Sequence, residues 1–507
     1  MRESPRVVEL PYVQRMITPC RLISARPWFT GLIASLAFSY FVASAGEAPV
    51  RYLRFDEVQE TLRLNADSRL PGDGISNSVT WDAWIRARDA EVRGRIDRGI
   101  EDSISNLILY GSSFTPLPRV ESVEFAASGS GELTAATVAR VHALALALPS
   151  AAKNERVSFV KDFLAQKGIS RDSVEAFFKR NLRRFVAEQA AYQKKLQDAA
   201  TEADPSAVYL ARGTLFETRG LSVDTSLLPN FALEETLRAM VKKGALASNS
   251  VHRIAVIGPG LDFTDKRDGY DFYPLQTLQP FAVLETVARL GLGKADDQDV
   301  VCLDLNSAVI AHVTKLAEQG RAGLPYIVQL PRDPQAQWSP EAISYWNSFG
   351  EILGSVAKPL PVPATLSGVL ARAVAIRPLY AAHIRAYNAN VVAQTLEQPP
   401  GINRPLDKGF DLIVATNVLV YYDRFQQALA MANIARMLNR GGIFLANNVL
   451  PAQHSSDLEY LGRRTTPFSP NGAYGDDVVV YRRKQETGFF NLRPELAAPP
   501  TVSATRR

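Results

Sequence analysis

The chain has 507 residues, 46% apolar and 21% charged, with 31 Gly and 31 Pro; this length and balance exclude a wholly disordered or fibrous chain and suggest two or three folding units. Its 57 Lys+Arg against 52 Asp+Glu leave a formal +5, too little over this length to imply a nucleic-acid partner. Two cysteines exclude a disulfide scaffold and a four-cysteine zinc site, and His142, His252, His312, His383 and His454 show no metal-ligand spacing, so no metal is expected.

The first segment, 1–46, is predicted to be a targeting element. Pro27 to Gly46 carries no charge, follows Arg15, Arg21 and Arg26, and ends in Ala43-Ser44-Ala45, the small-x-small pattern of a signal-peptidase site. A run of about twenty residues also suffices to span a bilayer uncleaved. The expectation is therefore an exported, periplasmic chain or one associated with a membrane through this segment, with a buried helix of a cytoplasmic protein as the alternative.

Residues 47–245 read as mainly helical. WDAWIRARDAEVRGRIDRGIEDSISNLILYG (81–111) gives a charged amphipathic helix and then a more buried one, and Ser128-Gly129-Ser130-Gly131 a joint. Val174, Phe178, Leu182, Phe185, Tyr192 and Leu196 form an apolar stripe. Lys179, Arg180, Arg183 and Arg184 on the same helix read as a solvated face, the other reading being a dock for anionic lipid or nucleic acid.

From 246 to 485 short apolar runs alternate with helical stretches, as a doubly wound, Rossmann-like α/β sheet requires. RIAVIGPG (253–260) is a buried strand with a glycine turn, followed by the helix at 280–291. VVCLDLN (300–306) is the next strand and 308–320 its helix. A Pro- and Trp-containing insertion spans 324–365; Trp338, Tyr345 and Trp346 are expected in it as a lid. ARAVAIRP (371–378), ANVVAQTL (389–396) and FDLIVATNVLVYY (410–422) read as strands, with a helix over 424–442 closed by two glycines. GIFLANNVL (442–450) and DDVVVYRRK (476–484) complete six or more strands, and 486–507 reads as a disordered tail.

Open parallel sheets bind ligands at the carboxyl ends of their strands. Those ends carry Gly258-Pro259-Gly260, where absent side chains admit a ligand to the backbone, and Asp304, suited to a ribose diol. Asn388 and Asn390 follow, then Thr416-Asn417-Val418 with Tyr421 and Tyr422. Asp304 could instead cap the helix beginning near Ala308. A dinucleotide turn would read GxGxxG with an acid about 20 residues on, whereas the third position here is Phe263 and Asp304 lies far beyond; no GxxxxGK[ST] loop exists. The loop with Asp262, Asp265, Asp268 and Asp271 is acidic, which suits a cationic sulfonium and so S-adenosylmethionine.

Residues 253–450 resemble a class I S-adenosylmethionine-dependent methyltransferase. The local likeness of 410–448 is to the chemotaxis-receptor type, which methylates glutamate and shows a strand, Asn-Val-Leu-Ile-Tyr-Phe, a helix, Leu-x-Pro-Gly-Gly and a strand. That resemblance implies Gly258 and Gly260 at the methionine part and Asp304 at the ribose. It implies Asn390 and Val391 near adenine, and Asn417 and Val418 under the sulfonium. Asn439-Arg440 departs from the family's Lys/Arg-Pro, its Ser/Thr-Gly-Glu-Glu is absent, and 47–245 does not resemble its N-terminal domain, so the receptor substrate does not carry over. The chain has no Asp/Asn-Pro-Pro-Tyr signature of amine or amide methylation, which favours a carboxylate or other oxygen acceptor of unknown identity. Tyr270, Tyr273, Tyr421 and Tyr422 are the candidates for placing it. The alternatives are an exported binding or scaffold protein of this fold without transfer, and a nucleotide-dependent oxidoreductase.

Overall fold

In the computed structural model the described residues are 50–65, 70, 78–120, 132–201, 219–221, 223–264, 270–366, 368–396, 409–447, 450, 457–472 and 474–485. The segment 1–46 expected to be a targeting element, the expected Ser/Gly joint, Asp265, Asp268 and residues 486–507 lie outside them.

The chain opens with β1 (Val50–Tyr52), α1 (Phe55–Leu64) and α2 (Ser78–Arg93). Then come α3 (Ile96–Tyr110), α4 (Ala135–Ala147), α5 (Glu155–Gln166), α6 (Val174–Thr201) and α7 (Leu228–Lys242). Local signals set these bounds: Thr134 caps α4 by accepting from Thr137 N, and Asn154 caps α5 by accepting from Arg156 N and Val157 N. Of the basic residues on α6, Arg184 is bonded to Asp102 at 2.6 Å, Lys179 pairs within the helix with Glu175 at 3.1 Å, Arg180 lies over the Phe177 ring, and Arg183 is exposed.

The alternating strands and helices follow: β2 (Arg253–Ile257), α8 (Gln279–Arg289), β3 (Asp299–Asp304), α9 (Ser307–Arg321), β4 (Tyr326–Arg332), α10 (Pro340–Ser348), β5 (Gly354–Ala357) and β6 (Leu370–Ile376). After them come α11 (Pro378–Ala382), β7 (Ile384–Asn388), β8 (Gln394–Leu396), β9 (Phe410–Ala415), α12 (Arg424–Met437), β10 (Leu438–Ala446), β11 (Leu458–Pro467) and β12 (Gly475–Arg483). Seven strands form the main sheet in the order β11-β12-β10-β9-β2-β3-β7. The strands from β10 to β7 run parallel, and β12 is inserted antiparallel to both β10 and β11. This is the Rossmann-like arrangement of class I methyltransferases. Its order reverses between β2 and β9, which opens a crevice at their carboxyl ends.

Period-2 alternation sends the residues of each central strand to two cores. Ile254, Val256, Val300, Cys302, Leu412 and Val414 face α3–α9. Ala255, Ile257, Val301, Leu303, Ile413 and Ala415 face α12 and the stacked Trp81 and Trp84 of α2. The early helices thus cover both faces of a sheet that later sequence builds.

Several expected boundaries differ. The 371–378 strand belongs to a separate antiparallel sheet, β4-β6-β5, which also structures the insertion. The third main-sheet strand is β7, and 389–396 is mostly a turn, because Asn390 accepts from Val392 N at 3.1 Å and its carbonyl from Ala393 N and Gln394 N. The 410–422 run stops at Ala415 because Asn417 takes a left-handed φ of 57°. The helix expected to 442 ends at Met437; Leu438 is extended, and Gly441 at φ 79° lies in an irregularity of β10.

Candidate functional site

The crevice begins at the glycine turn after β2. Gly258 and Gly260 have φ of 68° and 63°, values that favour residues without a Cβ. A Cβ on Gly258 would lie 2.4 Å from Val418 Cγ2, and one on Gly260 2.8 Å from the Val223 carbonyl oxygen. The second contact comes from a strap, residues 223–229, that leads into α7. Leu261 N donates to Val223 O at 2.7 Å and Thr225 N to Leu261 O at 3.0 Å, so the strap runs parallel to the turn and roofs it.

Asp304 ends β3 beside that turn. Its carboxylate accepts from Asn306 N at 2.8 Å and from the N–H groups of Gly260 and Leu305, while burial raises its pKa to about 6. The helix cap is not Asp304 but Asn306, which accepts from Ala308 N at 2.9 Å. At the end of β9, Thr416 accepts from Gln279 Nε2 at 2.7 Å, and Asn417 is held by Asn447, whose Oδ1 accepts from Asn417 N at 2.8 Å. Arg95 Nη1 donates to the Tyr421 carbonyl at 2.6 Å, and Gln427 Nε2 to that of Tyr422 at 2.9 Å. Burial raises the Tyr422 phenol well above its ordinary range.

Gly258, Gly260, Asp304, Val391, Asn417, Val418, Tyr421 and Tyr422 line one hollow of about 90 Å³, with Leu305 and Ala389 as further apolar wall. Asn390 does not. It is 0% exposed and donates to Asp89 Oδ1 at 2.9 Å, while Asn388 accepts from Arg93 Nη1 and donates to Leu305 O. Both asparagines hold the chain after β7 in place.

A second hollow of about 300 Å³ shares Asp224, Thr225, Pro229 and Asn417 with the first. Asp262, Tyr270 and Tyr273 line this one instead. One oxygen of Asp262, Oδ2, accepts from Tyr273 OH at 2.9 Å and from Gln276 Nε2 at 2.8 Å. Beneath lies Arg156 of α5, 1% exposed, which donates to the carbonyls of Asp262, Phe263 and Tyr273. Asp271, read with the acidic loop, is spent on the backbone and hydroxyls of Ser112 and Ser113. Of the expected lid, Trp338 lines the second hollow. Tyr345 packs on Phe231 in the core, and Trp346 donates to Leu330 O at 3.2 Å between Arg332 and Arg372, so neither can close over a ligand.

The strap, Arg156 and Asp224 escaped the sequence reading. Asp224-Thr225-Ser226 ahead of Pro229 is a legible turn and helix start, but nothing in it says which loop it will cover.

No family model matches the chain, and no curated protein matches it in sequence. Solved structures do align with it. The N-methyltransferase NodS from Bradyrhizobium japonicum WM9, in complex with S-adenosyl-l-homocysteine, shares 12% identity over 58% of this chain and 98% of its own, with a TM-score of 0.25. Magnesium protoporphyrin IX methyltransferase (ChlM) from Synechocystis PCC 6803, with bound SAM, shares 8% over 58% and 91%, at 0.24. The CurJ carbon methyltransferase shares 11% over 79% and 94%, also at 0.24. These neighbours are class I methyltransferases, and the chemotaxis-receptor type is not among those described. The strand order of this chain, rather than any of these matches, defines its fold.

Proposed function

We propose that the crevice between β2 and β9 binds S-adenosylmethionine and that the protein is a methyltransferase. The observation behind this reading is the convergence of Gly258, Gly260, Asp304, Val391, Asn417 and Val418, from four separate stretches of chain, on one hollow at the reversal of strand order. The donor set suits the cofactor. Asp304 offers carboxylate lone pairs to ribose hydroxyls, the glycines expose backbone to the methionine part, and Leu305, Ala389 and Val391 give adenine an apolar wall. The two hollows, about 90 and about 300 Å³ with four lining residues in common, together reach the lower end of the ~300–1,000 Å³ typical of small-molecule sites.

When bound, S-adenosylmethionine supplies an electrophilic methyl on a sulfonium. The chain's own work is then to orient and to exclude water: Asn417, fixed by Asn447, and the strap at 223–229 stand where the hollows meet.

Calorimetric titration of the full chain with S-adenosylmethionine, S-adenosylhomocysteine and NAD tests the proposal. Binding of the first two that Asp304→Asn weakens supports it; binding of NAD alone supports an oxidoreductase. A binding protein without transfer is the second reading. The small volume beside Asp304, with the strap against Gly260, favours it. So would export through 1–46, since S-adenosylmethionine is a cytoplasmic metabolite; a reporter fused after Ala45 reads that out.

A further inference from the structure

The strap over the glycine turn and the residues just before it, 219–221, are seated by three kinds of contact. The first is backbone pressed on backbone at α3: a Cβ on Gly220 would lie 2.0 Å from Gly99 N, and one on Gly99 1.8 Å from the Leu221 carbonyl oxygen. Leu221 N also donates to the Arg95 carbonyl at 3.3 Å. The second is a short ladder of hydrogen bonds. Asn106 Nδ2 of α3 donates to Asp224 Oδ2 at 3.0 Å, and Val223 and Thr225 pair with Leu261 of the turn. The third is the guanidinium of Arg95, the residue ahead of α3. Its Nε and Nη2 donate to the Arg219 carbonyl at 3.0 and 2.7 Å, and its Nη1 to that of Tyr421 at 2.6 Å. Leu221 and Tyr421 both line the hollow beside Asp304, so one side chain clasps two of its walls.

Seated in this way, the strap shuts that hollow. About 90 Å³ is left beside Asp304, below the ~300 Å³ at which small-molecule sites begin. Of the four residues that line both hollows, Asp224, Thr225 and Pro229 belong to the strap, so the wall common to the two is mostly strap. Its hold on the core is light. Among the described residues of 219–226, Val223 is the one buried apolar side chain. Segments held by hydrogen bonds, with few buried apolar contacts, open locally while the core stays folded.

Resting on the cofactor reading, we propose that residues 219–221 and 223–229 are a gate through which S-adenosylmethionine enters and leaves, and that Arg95 is its latch. Lifting the strap frees the turn at 258–260 and merges the two hollows; reseating it restores the roof. Arg95 does not line the hollow. It is a positioning residue that acts through the carbonyls of Arg219 and Tyr421. A latch of this kind works on the empty and the loaded protein alike, and so sets how fast the cofactor exchanges rather than how tightly it is held.

Surface plasmon resonance on the immobilised full chain, with S-adenosylhomocysteine as the probe, reads both rate constants. Arg95→Met removes the clasp and should raise the association and dissociation rate constants about tenfold each, with Kd unchanged within about threefold. Gly220→Ala forces the strap off α3 and should raise both rate constants about fivefold or more. It stands as the readout should Arg95→Met not fold. Unchanged rates in both variants overturn the gate. Slower association with weakened affinity also overturns it, because a residue that merely builds the site behaves in that way. In either case binding by the unsubstituted chain leaves the cofactor reading intact, whereas no binding by that chain overturns both.

Discussion

Gly260→Ala perturbs the roof of the site through one methyl group. Two costs add. A non-glycine residue at φ 63° loses about 1–2 kcal/mol, part of which, about 0.4–1 kcal/mol, returns through the stiffer unfolded chain. The new Cβ would also stand 2.8 Å from the Val223 carbonyl, a backbone atom that cannot rotate away. Relieving this contact moves the strap and strains the pairs Leu261 N to Val223 O and Thr225 N to Leu261 O, each about 0.5–1.5 kcal/mol. The expected loss is about 2–4 kcal/mol. Gly244→Ala isolates the first cost, since Gly244 has φ 69° and nothing within 4 Å of its Cβ position; it should lose about 1 kcal/mol or less. Urea unfolding followed by tryptophan fluorescence measures both variants, and S-adenosylhomocysteine titration should show Gly260→Ala alone weakened by tenfold or more, about 1.4 kcal/mol. Equal stability losses with unchanged affinity would refute the strap's role as a roof.

Further expectations follow from the same geometry. Burial lifts Asp304 to about 6, above the unfolded value near 3.9. Between those values the folded chain therefore holds a proton that the unfolded chain has lost, and stability falls as pH rises through that window. Affinity for S-adenosylhomocysteine should instead climb as the carboxylate ionises, with a midpoint near pH 6 in calorimetry, and Asp304→Asn should flatten both profiles. Arg156→Met strips the Asp262, Phe263 and Tyr273 carbonyls of their shared donor and should cost at least about 3 kcal/mol in urea unfolding; a loss under about 1 kcal/mol would show that water or another group replaces it. Asn390→Ala should cost about 2 kcal/mol through Asp89 and the turn at Val392, yet leave cofactor affinity within about threefold. A tenfold drop in affinity would restore Asn390 to the adenine site.

Much of the sheet was readable because its signals are local. Buried strands that lie between two helical layers must be apolar on both sides, and RIAVI, DVVCLD and FDLIVA are. Their ends were marked by residues with few other reasons to be there: glycines at left-handed φ, Asp304, and Asn417 at φ 57°. Capping chemistry is local too, although the sequence reading did not use it: Asp423 and Gln426 form a capping box for α12. Asn390 misled for a reason that also lies in local chemistry: an asparagine after a strand can recognise a ligand or hold its own turn, and the sequence is the same in either case.

The sequence by itself thus determined the alternation of strands and helices, the carboxyl-terminal ends at which a ligand can sit, and the residue types waiting there. Only the folded chain decided that 371–378 joins a second sheet, that Tyr345 and Trp346 belong to the core, and that residues 223–229 cross the glycine turn. It also split the expected site, with Asp262, Tyr270 and Tyr273 in one hollow and Asp304 in the other. The physical reason is range. Periodicity, caps and turns act over a few residues, whereas a roof over Gly260 and a base beneath Asp262 require contacts between segments far apart in the chain, and many pairings of apolar faces satisfy the same local pattern.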